Sequence, residues 1–160
     1  MKRFYLPLRL RRVALHRLLA ALSLSGLALA PLASQAGTTA LDGQLACRES
    51  AHTFIAGLMS RRLIKTEPMR VASNSINAFS PASGQDLTAY GFNVFAVVGF
   101  QQDDPLFQQG DGKPIGRSAY GAVVFGSTSN VKAALDAAGN RAPIVHHVNM
   151  FMTAIFCQQK

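Results

Sequence analysis

The chain has 160 residues, of which 49% are hydrophobic, with two cysteines and a formal net charge of +8 at pH 7. This length suits one domain and excludes multidomain enzymes such as those with a complete α/β barrel. A charge of +8 points to nucleic acid or a membrane surface as partner only if it lies on the folded domain.

Residues 1–36 are predicted to be a cleaved secretory signal peptide. A basic segment without acids precedes an apolar run from Leu18 to Leu32, and small residues at Ser34 and Ala36 form the exit. The run is short and interrupted, so the layout favours an export signal over a membrane span. We therefore expect a periplasmic or secreted protein of residues 37–160, with no stable membrane anchor after cleavage.

The leader accounts for most of the positive charge. Six of the sixteen Lys and Arg residues, and none of the eight acids, lie in residues 1–36. Ten basic residues then remain against eight acidic ones, and they are scattered along the chain. The sequence therefore predicts no nucleic-acid partner for the exported domain.

Both cysteines, Cys47 and Cys157, lie outside the leader. An even number of cysteines in an oxidising compartment favours a disulfide, and two cysteines allow a single pairing. We therefore predict a bridge between Cys47 and Cys157, which would connect the first helix to the last strand.

Hydrophobic patterning predicts six elements in the order α-β-β-β-α-β. An amphipathic helix is expected at 41–63 and a capped one at 130–138, with a long loop at 101–117. The expected strands are 69–79, 86–100, 118–125 and 144–157, the second of them covered on both faces. Residues 37–160 are thus predicted to be one α+β domain, a mainly antiparallel four-stranded sheet with two helices packed on one face.

A metal site is one possible reading of the last predicted strand. Residues of one strand alternate between its faces, so His146, Met150 and Met152 would share a face. An imidazole and two thioethers form a soft ligand set that suits copper(I). Because methionines also fill apolar cores, a buried sheet face is the competing explanation, and no cofactor is the leading expectation, with copper as the alternative.

Two further positions attract attention. Leu106 and Phe107 lie at the centre of a polar, glutamine-rich loop, where apolar side chains either anchor a partner or fold back onto the core. His52 stands three residues after Glu49 on the first predicted helix, a spacing that could orient the imidazole as a general base.

These features predict a small exported binding protein, and no residue is assigned a catalytic role. A protein–protein interaction module, or an inhibitor or immunity-type protein, fits the size and the few convergent titratable groups, and its partner would be another envelope or secreted protein. Two alternatives stay open, a periplasmic copper-binding protein and a small hydrolase centred on His52.

Overall fold

The computed structural model describes residues 37–159. These residues contain eight strands and two α-helices, joined by loops. The predicted signal peptide lies outside these residues. The elements, in chain order, are β1 (Thr38–Ala40), α1 (Ala51–Ser60), β2 (Arg70–Val71), β3 (Asn77–Phe79), β4 (Asp86–Ala89), β5 (Phe92–Gln101), β6 (Ser118–Phe125), α2 (Thr128–Ala137), β7 (Ile144–Asn149) and β8 (Met152–Gln159).

All eight strands belong to one mixed sheet. Six strands are ordered β1-β4-β5-β6-β8-β7 across the sheet. The other two extend it beside the second half of β5, where β3 pairs with β5 and β2 pairs with β3. The β1–β4 pair is parallel and the other pairs are antiparallel. The α+β class and the two helices are confirmed, whereas the four-stranded antiparallel sheet was wrong.

Tight turns explain part of the difference in strand number. The predicted strand 86–100 is a hairpin, in which Tyr90 and Gly91 both adopt positive φ angles of 50° and 82°. Positive φ at both central residues is typical of the two-residue turns that match strand twist. Asp42 holds this turn, because its Oδ1 accepts a hydrogen bond of 2.8 Å from the Tyr90 amide.

The predicted last strand, 144–157, is also a hairpin, formed by β7 and β8. Met150 and Phe151 connect the two strands, and the Phe151 amide donates to Asn149 Oδ1 at 2.9 Å. Asparagine side chains form such local turns without glycine or proline. The alternation of apolar and polar residues continues through this turn, so the sequence predicted one strand instead of two.

The first helix is shorter than predicted. It begins after Ser50, whose hydroxyl accepts a hydrogen bond from the Thr53 amide, and it ends at Ser60. Residues 41–50 instead hold a 3-10 turn and Cys47 with φ of 61°. The second helix begins after Ser127, which caps it in the same way, within two residues of the prediction.

Both helices cover the same face of the sheet, called here the helix face. The ring of Phe54 in α1 lies 4.8 Å from that of Tyr120 in β6. In α2, Thr128 Oγ1 lies 3.2 Å from Thr153 Oγ1, and Thr153 stands opposite Val124, on the same face as Tyr120. The opposite side of strands β5 to β8 is called the open face.

The predicted disulfide is present between Cys47 and Cys157, with an S–S distance of 2.01 Å. Cys157 is buried in β8 opposite Tyr120, and Cys47 lies in the segment before α1. The bridge therefore ties the beginning of the described chain to its last strand across the helix face. Among the described residues, no helix is long and apolar enough to cross a membrane.

Candidate functional site

The structure does not present Leu106 and Phe107 as an exposed loop tip. Phe107 is 7% exposed and belongs to the core, with its ring 6.3 Å from that of Phe100, and Leu106 is half-buried. Asn77 holds the loop in place, since its amide donates to Gln108 O at 2.7 Å and its oxygen accepts from Gln108 N at 2.9 Å. The expected partner loop therefore folds back onto the core.

His52 is paired with Asp104 of this loop rather than with Glu49. His52 Nδ1 lies 2.7 Å from Asp104 Oδ2, and the other carboxylate oxygen accepts from the Leu106 amide at 2.9 Å. The Asp104 side chain is 7% exposed and that of His52 52%. A buried carboxylate that orients a half-exposed imidazole is the arrangement of a general base.

Within residues 37–159, no serine, threonine or tyrosine hydroxyl is hydrogen-bonded to His52. The pair also connects α1 to the 102–117 loop, so it acts as a structural tether whatever its chemistry.

Glu49, the predicted partner of His52, has a different environment. Its Oε1 is enclosed and has no hydrogen-bond partner, although the residue as a whole is half-buried. Burial raises the pKa of the Glu49 carboxyl above its ordinary value. This carboxyl therefore does not orient the imidazole.

The hairpin changes the geometry of the copper hypothesis. His146 lies in β7 opposite Ala154, and Met152 lies at the start of β8, so these two still point to the open face. Met150 lies in the turn and is 76% exposed. The single strand face shared by all three was wrong because the chain reverses between them. Copper binding itself stays a prediction.

A polar cleft lies at the end of the sheet where α1 begins. Its volume is about 450 Å³, and its walls include Ser50, Gln101, Asp103 and Arg117. The first amides of α1 do not face an open anion site, because Ser118 Oγ accepts from the Ala51 amide at 3.0 Å and Gln101 Oε1 from the His52 amide at 3.2 Å. The cleft thus has polar walls without free helix amides.

The open face carries a cluster of exposed hydrophobic side chains that the sequence analysis did not single out. Residues opposite each other in an antiparallel ladder share a face, so Phe125 and Met152 point away from the helices, as do Phe156 and Ile144. Seven large hydrophobic residues are exposed among the described residues. Phe125 and Ile144 lie on the open face by register, and Phe95 contacts Phe125; with the half-buried Met152 and Phe156 they define what we call the apolar patch.

A strand irregularity contributes to this patch. The β5–β6 ladder shifts register around Phe95, and such bulges redirect side chains. The ring of Phe95 meets that of Phe125 edge-on at 5.6 Å. The Gly126 amide donates to Phe151 O at 2.9 Å, which holds the exposed hairpin turn beside the end of β6.

One signal could have revealed the patch in the sequence. Strands β5 to β8 contain no Asp, Glu, Lys or Arg, so nothing in them marks a solvated face. The continuous hydrophobic run of 86–100 was predicted to be covered on both faces; residues 96–100 are buried, whereas Phe95 is 42% exposed. Comparison with protein-family models, with curated proteins and with solved structures found no match to this chain.

Proposed function

We propose that this chain is an exported, non-enzymatic protein that binds another protein through the apolar patch. The observation that carries the proposal is the exposure of Phe95, Phe125 and Ile144, beside Met152 and Phe156, on the face of the sheet that the helices leave uncovered. Such patches are typical of interaction surfaces.

The compartment follows from the disulfide and the leader. A closed Cys47–Cys157 bridge supports an oxidising environment, and the basic-apolar-small layout of residues 1–36 supports export. The partner would then be an envelope or secreted protein. The near-neutral balance of the remaining residues favours a protein partner over a nucleic acid.

Photo-crosslinking in the producing cell tests this proposal. Phe125 is replaced by a benzoyl derivative of phenylalanine, which keeps the aromatic shape at a residue of the open face that is 51% exposed. We expect protein adducts after irradiation, because a bound partner holds its C–H bonds against this ring.

Met69 provides the matched control. It is 46% exposed but precedes β2, outside the apolar patch. The same photoreactive residue at position 69 should give no specific adduct. Equal labelling at both positions, or none at position 125, would contradict the proposal.

Hydrolysis is a second candidate, favoured only by the His52–Asp104 contact of 2.7 Å. If the imidazole acts as a general base, both His52→Ala and Asp104→Asn should abolish turnover in a panel of ester and peptide substrates. His147→Ala is the control, since this exposed imidazole contacts Thr128 instead. Wild-type rates no higher than those of His52→Ala would eliminate this candidate.

A further inference from the structure

Strand β7 forms an outer edge of the sheet. Within the described residues it pairs with β8 alone, and five of its six residues are exposed. It contains no charged residue and no proline, whereas the other outer strands, β1 and β2, have only three and two residues. Natural sheets protect their outer strands by shortness, charge or proline. An uncharged outer strand of this length is therefore a template for a further strand.

The hydrogen bonds between β6 and β8 determine which way the main-chain groups of β8 point. The Gly126 amide donates to Phe151 O at 2.9 Å, in continuation of the β6–β8 register. Hydrogen-bonded and non-hydrogen-bonded pairs alternate along an antiparallel ladder. Thr153 and Ile155 therefore direct their main-chain groups to β6, and Ala154 between them directs its groups to β7.

The register of β7 then shows which of its own groups face outward. His146 stands opposite Ala154, so its main-chain groups bond to β8. Val145 and His147 alternate with it, and their N–H and C=O groups point away from the sheet. Among the described residues, none of these four groups has a hydrogen-bond partner. An extended polypeptide presents donors and acceptors at the matching repeat, so the chemistry that fits this edge is another β-strand.

The two sides of this edge differ in chemistry. On the open face, Ile144 is 51% exposed and stands opposite Phe156, and both belong to the apolar patch. On the helix side, a cleft of about 330 Å³ lies between α2 and β7. It is lined by Lys132, Leu135, Asp136, Asn140, Arg141, Pro143 and Val145. A strand added to β7 would place its side chains alternately on these two sides.

The charges of the cleft restrict the added strand further. Asp136 Oδ1 lies 4.0 Å from Arg141 Nε, which leaves Lys132 without a carboxylate partner among the described residues. An acidic side chain on the helix side of the added strand would complement this cation. Strand β7 of a second copy contains no acid and does not meet this requirement.

We infer that β7 binds an extended segment of the partner protein as an added antiparallel strand. This segment alternates apolar residues on the open face with polar residues, at least one of them acidic, on the helix side. The inference rests on the proposed function for the source of the segment, and it adds how the partner binds.

The probe is a synthetic octapeptide that alternates valine with glutamate, titrated into the isotope-labelled protein as it accumulates in the producing cell. The amide signals of Val145 and His147 should shift, and their hydrogen exchange, fast in the free protein, should slow at least about tenfold at saturation. The same peptide with methylated glutamate nitrogens should not bind, because residues opposite Val145 and His147 share their helix side. Equal binding of both peptides, or no change in β7, overturns the inference.

A proline in β7 tests the role of the main chain. His147→Pro removes one outward N–H and obstructs an added strand, while the β7–β8 hydrogen bonds remain. It should weaken peptide binding at least about tenfold, whereas His147→Ala, which keeps the amide, should weaken it less than about threefold. Val145→Pro and Val145→Ala replace this pair if His147→Pro loses the Cys47–Cys157 bridge or the wild-type far-ultraviolet spectrum. Equal binding by the folded proline and alanine variants overturns the inference.

Sedimentation and the photo-crosslink at position 125 separate this inference from the proposed function. A wild-type dimer that His147→Pro converts to a monomer overturns the inference, because a second copy then occupies β7. A partner adduct at position 125 that His147→Pro leaves unchanged also overturns it, and the proposed function stands. Absence of that adduct contradicts the proposed function, while the peptide titration still decides whether β7 binds an extended segment.

Discussion

The side chain of Glu49 contains a buried polar atom that destabilises the native state. Its Oε1 is enclosed without a partner, while its amide donates a long hydrogen bond of 3.5 Å to the Tyr120 hydroxyl oxygen. An unpaired buried acceptor costs more than a hydrogen bond gains. Burial accordingly raises the pKa of this carboxyl, and the charged form weakens the native state.

We expect Glu49→Gln to stabilise the protein at neutral pH. The native state binds the Glu49 proton more tightly than the unfolded chain, so wild-type stability falls as pH rises from the ordinary value of 4.5 through the raised pKa. Glutamine does not ionise and avoids that loss. Urea unfolding should show the largest gain near neutral pH and little difference below about pH 4. A gain that does not change with pH would contradict this account.

Gly121 lies where β6 and β8 approach most closely. A Cβ built at this position would stand 2.0 Å from Ile155 O, a backbone atom of the paired strand. We therefore expect Gly121→Ala to destabilise the protein by about 3 kcal/mol, because the two strands must separate. Thermal or urea unfolding measures the loss.

Gly57 in α1 provides the contrast for this substitution. No atom lies within 4 Å of a Cβ built there. Gly57→Ala should stabilise the protein by roughly 0.5 to 1 kcal/mol, through the better helix propensity of alanine. If the two alanine substitutions had equal effects, close strand contact would not explain the need for Gly121.

At the scale of elements, the 102–117 loop depends on contacts with α1 and β3. His52 and Asn77 hold its first half, through Asp104 and Gln108 respectively, and Phe107 packs beneath it. Long loops of this kind stay ordered only when other elements bind their backbone. The His52–Asp104 pair thus has a clear structural role independent of catalysis.

Removing this tether should loosen the loop without unfolding the sheet. For Asp104→Asn we expect hydrogen exchange to accelerate several-fold at 103–107, while strands β5 and β6 keep their protection. Global stability should fall by about 1 kcal/mol, the value of one charge-assisted hydrogen bond that is partly exposed. Unchanged exchange in this loop would mean that Phe107 and Asn77 suffice to hold it.

At the scale of the whole molecule, the disulfide joins residues that are 110 positions apart. The covalent loop that it closes contains both α-helices and strands β2 to β7. The cross-link therefore restricts the unfolded chain as a whole, and its effect on stability grows with the loop that it closes.

We expect the double variant Cys47→Ser and Cys157→Ser to lose about 4 kcal/mol of unfolding free energy, the chain-entropy value for a loop of this length. Reduction of the wild type should have a similar effect, measured by urea unfolding with and without reductant. Equal stability of the oxidised and reduced protein would show that the bridge does not contribute to the free energy of unfolding.

Several features were predictable from the sequence alone because they depend on local chemistry or on counting. Two cysteines permit one bridge, the small polar residues at 126–129 cap a helix that begins within two residues of the expected position, and the polar run at 102–117 is a loop. The two hairpin turns were missed because Tyr90 and Asn149 turn the chain through contacts that a hydrophobic pattern does not show. The short strands β1 and β2 contain too few residues for a periodic signal.

The functional surfaces were decided by tertiary structure. His52 meets a carboxylate 52 residues away, and Phe107 enters the core through contacts with Phe100 and the β3 region. The open face exists because both helices pack on the other side of the sheet, which leaves Phe125 and Ile144 exposed, whereas Val98 and Phe100 on the same side are buried. Side-chain patterns specify which residues avoid water, but the register and the placement of the helices determine which of them the fold leaves uncovered.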